Sequence, residues 1–158
     1  MEEQAAEQGT AAEVVVVRLG GARYALPMAV VAEVGRPPQL TRVPGLPAWV
    51  AGLANWRGRV LPVLDLRPLL GGAALAATHG RLVVLHVDGV RVGLVTEGVD
   101  GSTALDLERL DAPPAHLPPS AAGLLAGQRT DDDGPLAVLE PAAVLGLSAQ
   151  LPRVRRAG

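Results

Sequence analysis

Chemistry in a protein of this size needs nucleophiles, acid–base pairs or metal ligands at workable spacing. The sequence supplies few of them. There is no Cys, so thiolate nucleophiles, disulfides and Cys-ligated zinc are excluded. There is no Lys either; every basic residue is Arg, which rules out a P-loop lysine, a Schiff base and the strand lysine of protein kinases. The three histidines, His79, His86 and His116, have no partner at i+4 and no flanking acidic ligand pattern. Ser102, Ser120 and Ser148 lie outside any nucleophile-elbow pattern. Asp131-Asp132-Asp133 lacks the alternating spacing of a calcium loop, and its adjacent carboxylates repel, so it reads as a solvated hairpin loop. No metal, no cofactor and no catalytic residue is expected.

The elements that would position any site are short. The chain has 158 residues, 49% hydrophobic and 19% charged, with 19 Gly and 14 Pro. This suits one domain of short strands and frequent turns. Val14 to Leu19, Arg23 to Leu26, Val30 to Val34, Val60 to Leu66 and Leu136 to Leu139 read as strands. Leu82 to Val87 and Val90 to Val95 flank Asp88-Gly89, a strong type I′ hairpin signal. Arg57-Gly58 reads as a turn tip. Pro62 removes a ladder donor from its strand and predicts an edge or a bulge there. Leu46, Trp49, Val50 and Leu53 recur at helical spacing and predict a short helix. Pro141 to Leu147 reads as a terminal helix with Pro141 in its first turn. Residues 1–12 and 149–158 read as flexible tails, and 71–80 as a small-residue linker. The first lobe is expected at about 13–70 and the second at about 81–140, with no convincing sequence repeat between them. The net charge of −2 and the lack of a basic patch argue against nucleic acid. No signal peptide and no apolar run of about 18 residues is present, so a cytoplasmic location without membrane insertion is expected.

Asn55 to Arg67 reads Asn-Trp-Arg-Gly-Arg-Val-Leu-Pro-Val-Leu-Asp-Leu-Arg. This resembles the signature of CheW-like coupling proteins of bacterial chemosensory systems, typically NLRG-x-V-x-PV-x-DLR. The resemblance continues through Tyr24-Ala25-Leu26-Pro27, Glu33-Val34, Thr41-Arg42-Val43-Pro44, Val83-Val84, Val92-Gly93-Leu94-Val95 and Gly98-Val99, and covers roughly residues 13–148. It implies a mostly-β CheW-like fold of two small five-stranded SH3-like β-barrel lobes with short helices. It also implies a non-catalytic adaptor that couples chemoreceptors to the histidine kinase CheA. The partners implied are the regulatory domain of a CheA-type kinase and the cytoplasmic tip of a chemoreceptor, with recruitment to membrane-associated arrays. A CheW-like paralogue in a non-flagellar pathway (twitching, gliding or development) is the alternative; a small-ligand-binding or hydrolytic β-barrel is a third.

Carried over position by position, the resemblance implies a kinase interface at Glu33, Val34, Thr41 and Arg42. It implies a receptor groove at Val31, Arg57, Val83 and Val99, and a structural signature at Asn55, Gly58, Pro62, Asp65 and Arg67. The residues themselves leave plainer readings open. Glu33 suits a solvent-facing strand position. Arg57 suits a brace between lobes as well as a contact. Asp65 and Arg67, at i and i+2, suit an internal ion pair. Trp56 stands where the signature has Leu, filling the lobe boundary or altering the receptor surface. Glu97, Ser102-Thr103 and Glu140 also depart from the family pattern.

Overall fold

The computed structural model describes residues 11–72 and 80–151. The expected tails and linker fall largely outside these residues. The described chain forms β1 (Ala11–Leu19), β2 (Ala22–Pro27), β3 (Val31–Gly35), β4 (Val50–Trp56), β5 (Arg59–Leu64), α1 (Arg67–Leu70), β6 (Arg81–Val87), β7 (Val90–Thr96), β8 (Gly98–Asp106), β9 (Leu125–Asp131), β10 (Gly134–Leu139) and α2 (Pro141–Ser148). The strands make two five-stranded sheets, ordered β8-β1-β2-β10-β9 and β3-β6-β7-β5-β4.

This strand order corrects the expected lobe boundaries. A central lobe is built from β3 to β7, contiguous in sequence. The terminal lobe joins β1 and β2 to β8, β9 and β10 from the other end of the chain. A division into 13–70 and 81–140 would strip each sheet of two strands. The two lobes are equivalent in topology: β3 matches β8, β4 matches β9, β5 matches β10, β6 matches β1 and β7 matches β2. Even the irregularities correspond. The β3–β6 ladder slips between Val31 and Glu33, and the β1–β8 ladder slips at the matching place, between Val99 and Gly101 on β8. Thr41 bridges Leu53 outside β4, as Asp111 bridges Gln128 outside β9.

The apolar runs explain how the lobes pack. In β1, Val14 and Val16 face the interior of the terminal lobe, while Val15, Val17 and Leu19 face the other lobe. In β6, Leu82 and Val84 face the interior of the central lobe, while Val83 and Leu85 face across. Both strands are therefore buried on both faces, which is why they read as unbroken hydrophobic runs rather than alternation. The largest core lies between the lobes and unites Tyr24, Leu26, Leu64, Leu66, Val92, Leu94 and Leu139 with α2 through Val144 and Leu145.

Two local expectations are overturned. Residues 46–53 are not helical. Val50 N–H reaches Pro47 O (3.0 Å) in a single turn, and the chain enters β4 at Val50. The four apolar residues that mimic helical spacing have different fates: Leu46 and Val50 line a surface groove, while Trp49 packs on the inter-lobe core. Strand β5, with Pro62, is not an edge; it lies between β7 and β4. Proline is tolerated because Leu53, its partner, spends both backbone groups on Thr41 (2.8 and 2.9 Å), so no ladder bond is asked of Pro62 from β4. Pairing with β7 begins only at Val63. The Asp88-Gly89 and Arg57-Gly58 tips form as expected, both residues of each at positive φ as a type I′ turn requires.

Candidate interaction surface

The free ends of the central lobe meet through side chains. Strands β3 and β4 are its two edges, yet the Trp56 indole Nε1–H donates to Glu33 Oε2 at 2.7 Å. The Trp56 ring also lies over Gly35, where an added Cβ would meet it in ordinary contact at 3.5 Å. Arg57 joins them: its Nε donates to Glu33 Oε2 at 3.2 Å, and its Nη2 forms a second bond to Glu33 Oε1. These bonds hold the Glu33 carboxyl below its ordinary titration range, the Trp56 bond first and the Arg57 bond next. Arg57 stays exposed, with its side chain 71% accessible. The hairpin tip that carries it is fixed by Asn55, whose Oδ1 accepts from Gly58 N–H at 3.1 Å. Asn55 and Gly58 thus set the geometry that aims Arg57 at Glu33.

Asp65 and Arg67 form an ion pair, but not on a strand face. Asp65 follows β5 and Arg67 opens α1. Both are 3% exposed. The carboxylate accepts from Arg67 Nε (2.9 Å), Nη2 (2.6 Å) and backbone N–H (3.1 Å), a bidentate pair combined with a helix-initiating turn. Glu97 Oε2 lies 3.6 Å from Arg67 Nη1 and accepts from the N–H of Gly20 (2.5 Å); its Oε1 accepts from Gly21 (2.9 Å). One carboxylate therefore ties the β1–β2 turn of the terminal lobe to the buried arginine of the central lobe. Glu97 was visible in the sequence only as a departure from the family pattern; its reach to Gly20-Gly21 had no local signal, because 76 or more residues separate them.

The expected site residues divide by exposure. Val34, Thr41 and Arg42 are exposed, with Glu33 half-buried beside them. Thr41 is held in place by its backbone bridge to Leu53. Arg42 lines an open groove of about 980 Å³ with Pro37, Leu40, Val43, Leu46 and Pro47. Val31 and Val99, at matching positions in the two lobes, are partly buried against the inter-lobe core. Val83 is corrected: it is wholly buried in that core and offers no contact surface. The apolar residues of the central sheet that remain accessible are instead Val60 (66% exposed), Val34 and Val90. Among the described residues no group of three or more His, Asp or Glu is placed to hold a metal ion, and no helix is long and apolar enough to cross a membrane.

Two pseudo-equivalent β lobes around a shared apolar core, with exposed arginines and valines at the hairpin ends, define a two-lobed, mostly-β domain. The family model of the CheW-like domain matches residues 13–148, and the chain belongs to that family. Among curated relatives, it is 38% identical over 109 residues to "Protein PilI" of Pseudomonas aeruginosa, covering 68% of this chain but 59% of that protein. It is 38% identical over 112 residues to "Protein FrzA" of Myxococcus xanthus, covering 70% and 66%. It is 28% identical over 116 residues to "Chemotaxis protein CheW" of Klebsiella aerogenes, covering 73% and 70%. Among solved structures, scaffolding protein TtCheW of Thermoanaerobacter tengcongensis superposes with a TM-score of 0.71 at 23% identity, over 82% of this chain and 89% of that one, and so shares the fold.

Proposed function

We propose that this chain is a non-catalytic adaptor that couples a chemoreceptor to a CheA-type histidine kinase. The observation that carries the reading is the Glu33–Trp56–Arg57 cluster. Glu33 belongs to the candidate kinase face with Val34, Thr41 and Arg42. Arg57 belongs to the candidate receptor face with Val31 and Val99. A shared carboxylate gives the two faces a direct physical link, so a partner that draws Arg57 away removes two of the three bonds on Glu33 and leaves it held by Trp56. Coupling by geometry needs no cofactor, metal or turnover. The chain works in the cytoplasm and reaches the membrane through the receptor arrays that it joins.

Calorimetric titration with the regulatory domain of a CheA-type kinase from the same organism tests this. Saturable 1:1 binding is expected, weakened at least tenfold by Glu33→Arg. Arg57→Ala is expected to leave kinase affinity within threefold and to reduce capture of a receptor cytoplasmic fragment. A folded protein that binds none of that organism's CheA-type kinases overturns the coupling reading. A second reading, service in a non-flagellar chemosensory pathway, is favoured by the 38% identity to PilI and FrzA against 26–35% to five CheW proteins. A knockout that loses surface motility and retains swimming would decide for it.

A further inference from the structure

The two lobes share a fold but not a charge. Among the described residues, the central lobe (31–96) carries seven arginines and only three carboxylates, Glu33, Asp65 and Asp88. The terminal lobe (11–30 and 97–151) carries four arginines and ten carboxylates. The overall charge of −2 therefore conceals lobes of about +4 and −6 by formal count. The partnering of the charges is as uneven as their number. In the terminal lobe, Arg18 pairs with Asp100, Arg23 with Asp131 and Arg109 with Asp106, while Arg129 donates to the Arg109 carbonyl. Arg36, Arg42, Arg59 and Arg91 make no hydrogen bond or ion pair with described residues, and all four lie on the central lobe.

One of these four lines the groove, and a second adjoins it in the chain. Arg42 lines it, and Arg36 immediately precedes Pro37, its first lining residue. The walls are otherwise Pro37, Leu40, Val43, Leu46 and Pro47, with Val43 among the exposed large hydrophobics. The Asp65 carboxylate at the edge of the groove is already bound to Arg67. Apolar walls beside the unpartnered Arg42 guanidinium, with Arg36 next to them in the chain, suit a segment with apolar anchors and flanking carboxylates, since Arg binds carboxylates through paired N–H donors. We infer that this groove docks an acidic protein segment, with Arg36 and Arg42 meeting its carboxylates and Arg59 and Arg91 adding to the attracting field. A nucleic acid is disfavoured, because no aromatic side chain lines the groove for base stacking and the adjoining lobe is strongly negative. The inference deepens the adaptor reading at its Thr41–Arg42 face, and rests on it only for the identity of the natural partner.

The test uses a probe independent of the kinase: an amidated sixteen-residue peptide with leucines at helical spacing and glutamates between them, and its glutamine counterpart. The isotope-labelled chain contains no Lys, so its side-chain cation signals in NMR come from arginine. At 50 mM NaCl the glutamate peptide is expected to move the Nε–Hε signals of Arg36 and Arg42 and the amides of residues 37–52. Raising the salt to 300 mM should weaken binding at least tenfold. The glutamine peptide and the Arg36→Glu/Arg42→Glu variant should each bind at least tenfold less tightly. Salt-independent binding, equal shifts at Arg18 and Arg23, or no binding up to millimolar peptide overturns the proposal. So does salt-sensitive self-association in sedimentation that Asp132→Arg/Asp133→Arg abolishes, because the groove's acidic occupant would then be a second copy. Failure of the kinase titration with success here would remove the coupling reading and leave the groove assignment standing.

Discussion

At the scale of single residues, the strongest constraint is the buried pair of Asp65 and Arg67. Removing one partner leaves the other charged, desolvated and without its closest counter-charge, a loss of about 3–5 kcal/mol. Asp65→Ala is therefore expected to lower the denaturant midpoint sharply or to prevent folding, while Glu97→Gln, which keeps an acceptor for one of the Gly20 and Gly21 N–H groups, has the milder effect. Chemical denaturation compares them. Glu33 behaves differently because it is close to solvent. Its carboxyl titrates below the ordinary 4.5, so the Trp56 and Arg57 bonds are fully present above that value and are lost as pH falls through the lowered one. Trp56 fluorescence should accordingly show an acid transition centred below 4.5 that Glu33→Gln lacks. Arg57→Ala should raise the midpoint only part of the way, since the Trp56 bond is the larger cause. A midpoint at or above 4.5 in the unmodified chain would rule this account out. The sequence reading placed Glu33 and Arg57 in separate candidate faces; their contact was not legible, because they lie 24 positions apart, at the two opposite edges of the sheet.

At the scale of elements, strands buried on both faces and tight hairpins were legible. Val14 to Leu19, Leu82 to Val87 and the Asp88-Gly89 turn needed only local pattern. Strands β8 and β9 were not, and the reason is physical. Both are sheet edges with mostly exposed residues, and Gly98 to Thr103 and Gly127 to Asp131 contain no apolar alternation. Their register is set by partners, not by their own side chains. The equivalence of the lobes was equally hidden. It surfaces only when Leu61-Pro62-Val63-Leu64-Asp65 is set beside Leu136-Ala137-Val138-Leu139-Glu140, where the acidic residue of each makes the same backbone bond: Asp65 N–H to Trp49 O and Glu140 N–H to Leu124 O. The bridges that fold a loop onto each outer strand need space that only glycine leaves. A Cβ on Gly52, at φ +151, would stand 2.8 Å from Thr41 O, and one on Gly127 would stand 2.6 Å from Asp111 O. Gly52→Ala is expected to destabilise by about 1–3 kcal/mol. It should also disorder the Thr41–Arg42 surface, measurable as faster amide exchange at Thr41 and Leu53 than elsewhere in β4. Uniform exchange across β4 in that variant would show that the bridge does not depend on this glycine.

At the scale of the whole molecule, the chain threads its terminal lobe from both ends. Strands β1 and β2 lie inside that sheet, β1 between β8 and β2, and β2 between β1 and β10. The last helix then packs Val144 and Leu145 into the core that both lobes share. The terminal lobe is thus unfinished until nearly the whole chain is present, and the apolar face that each sheet turns toward the other has no cover when alone. The expected consequence is a single cooperative unfolding transition, with tryptophan fluorescence and far-ultraviolet dichroism coinciding, although the chain has two sheets. The fragments 11–72 and 80–151 should not fold separately, since the first lacks β6 and β7 of the central sheet and the second lacks β1 and β2 of the terminal one. Mixed together, they should recover structure, because each supplies the strands that the other misses. The fragment spanning 28–97 keeps all five central strands and is the informative control. If it stays soluble, monomeric and folded, the inter-lobe core is dispensable to the central lobe and the one-transition expectation fails. If it aggregates or remains expanded while the mixed halves fold, the shared core makes the two lobes one cooperative unit, and a change at the Thr41–Arg42 surface cannot leave the other lobe untouched.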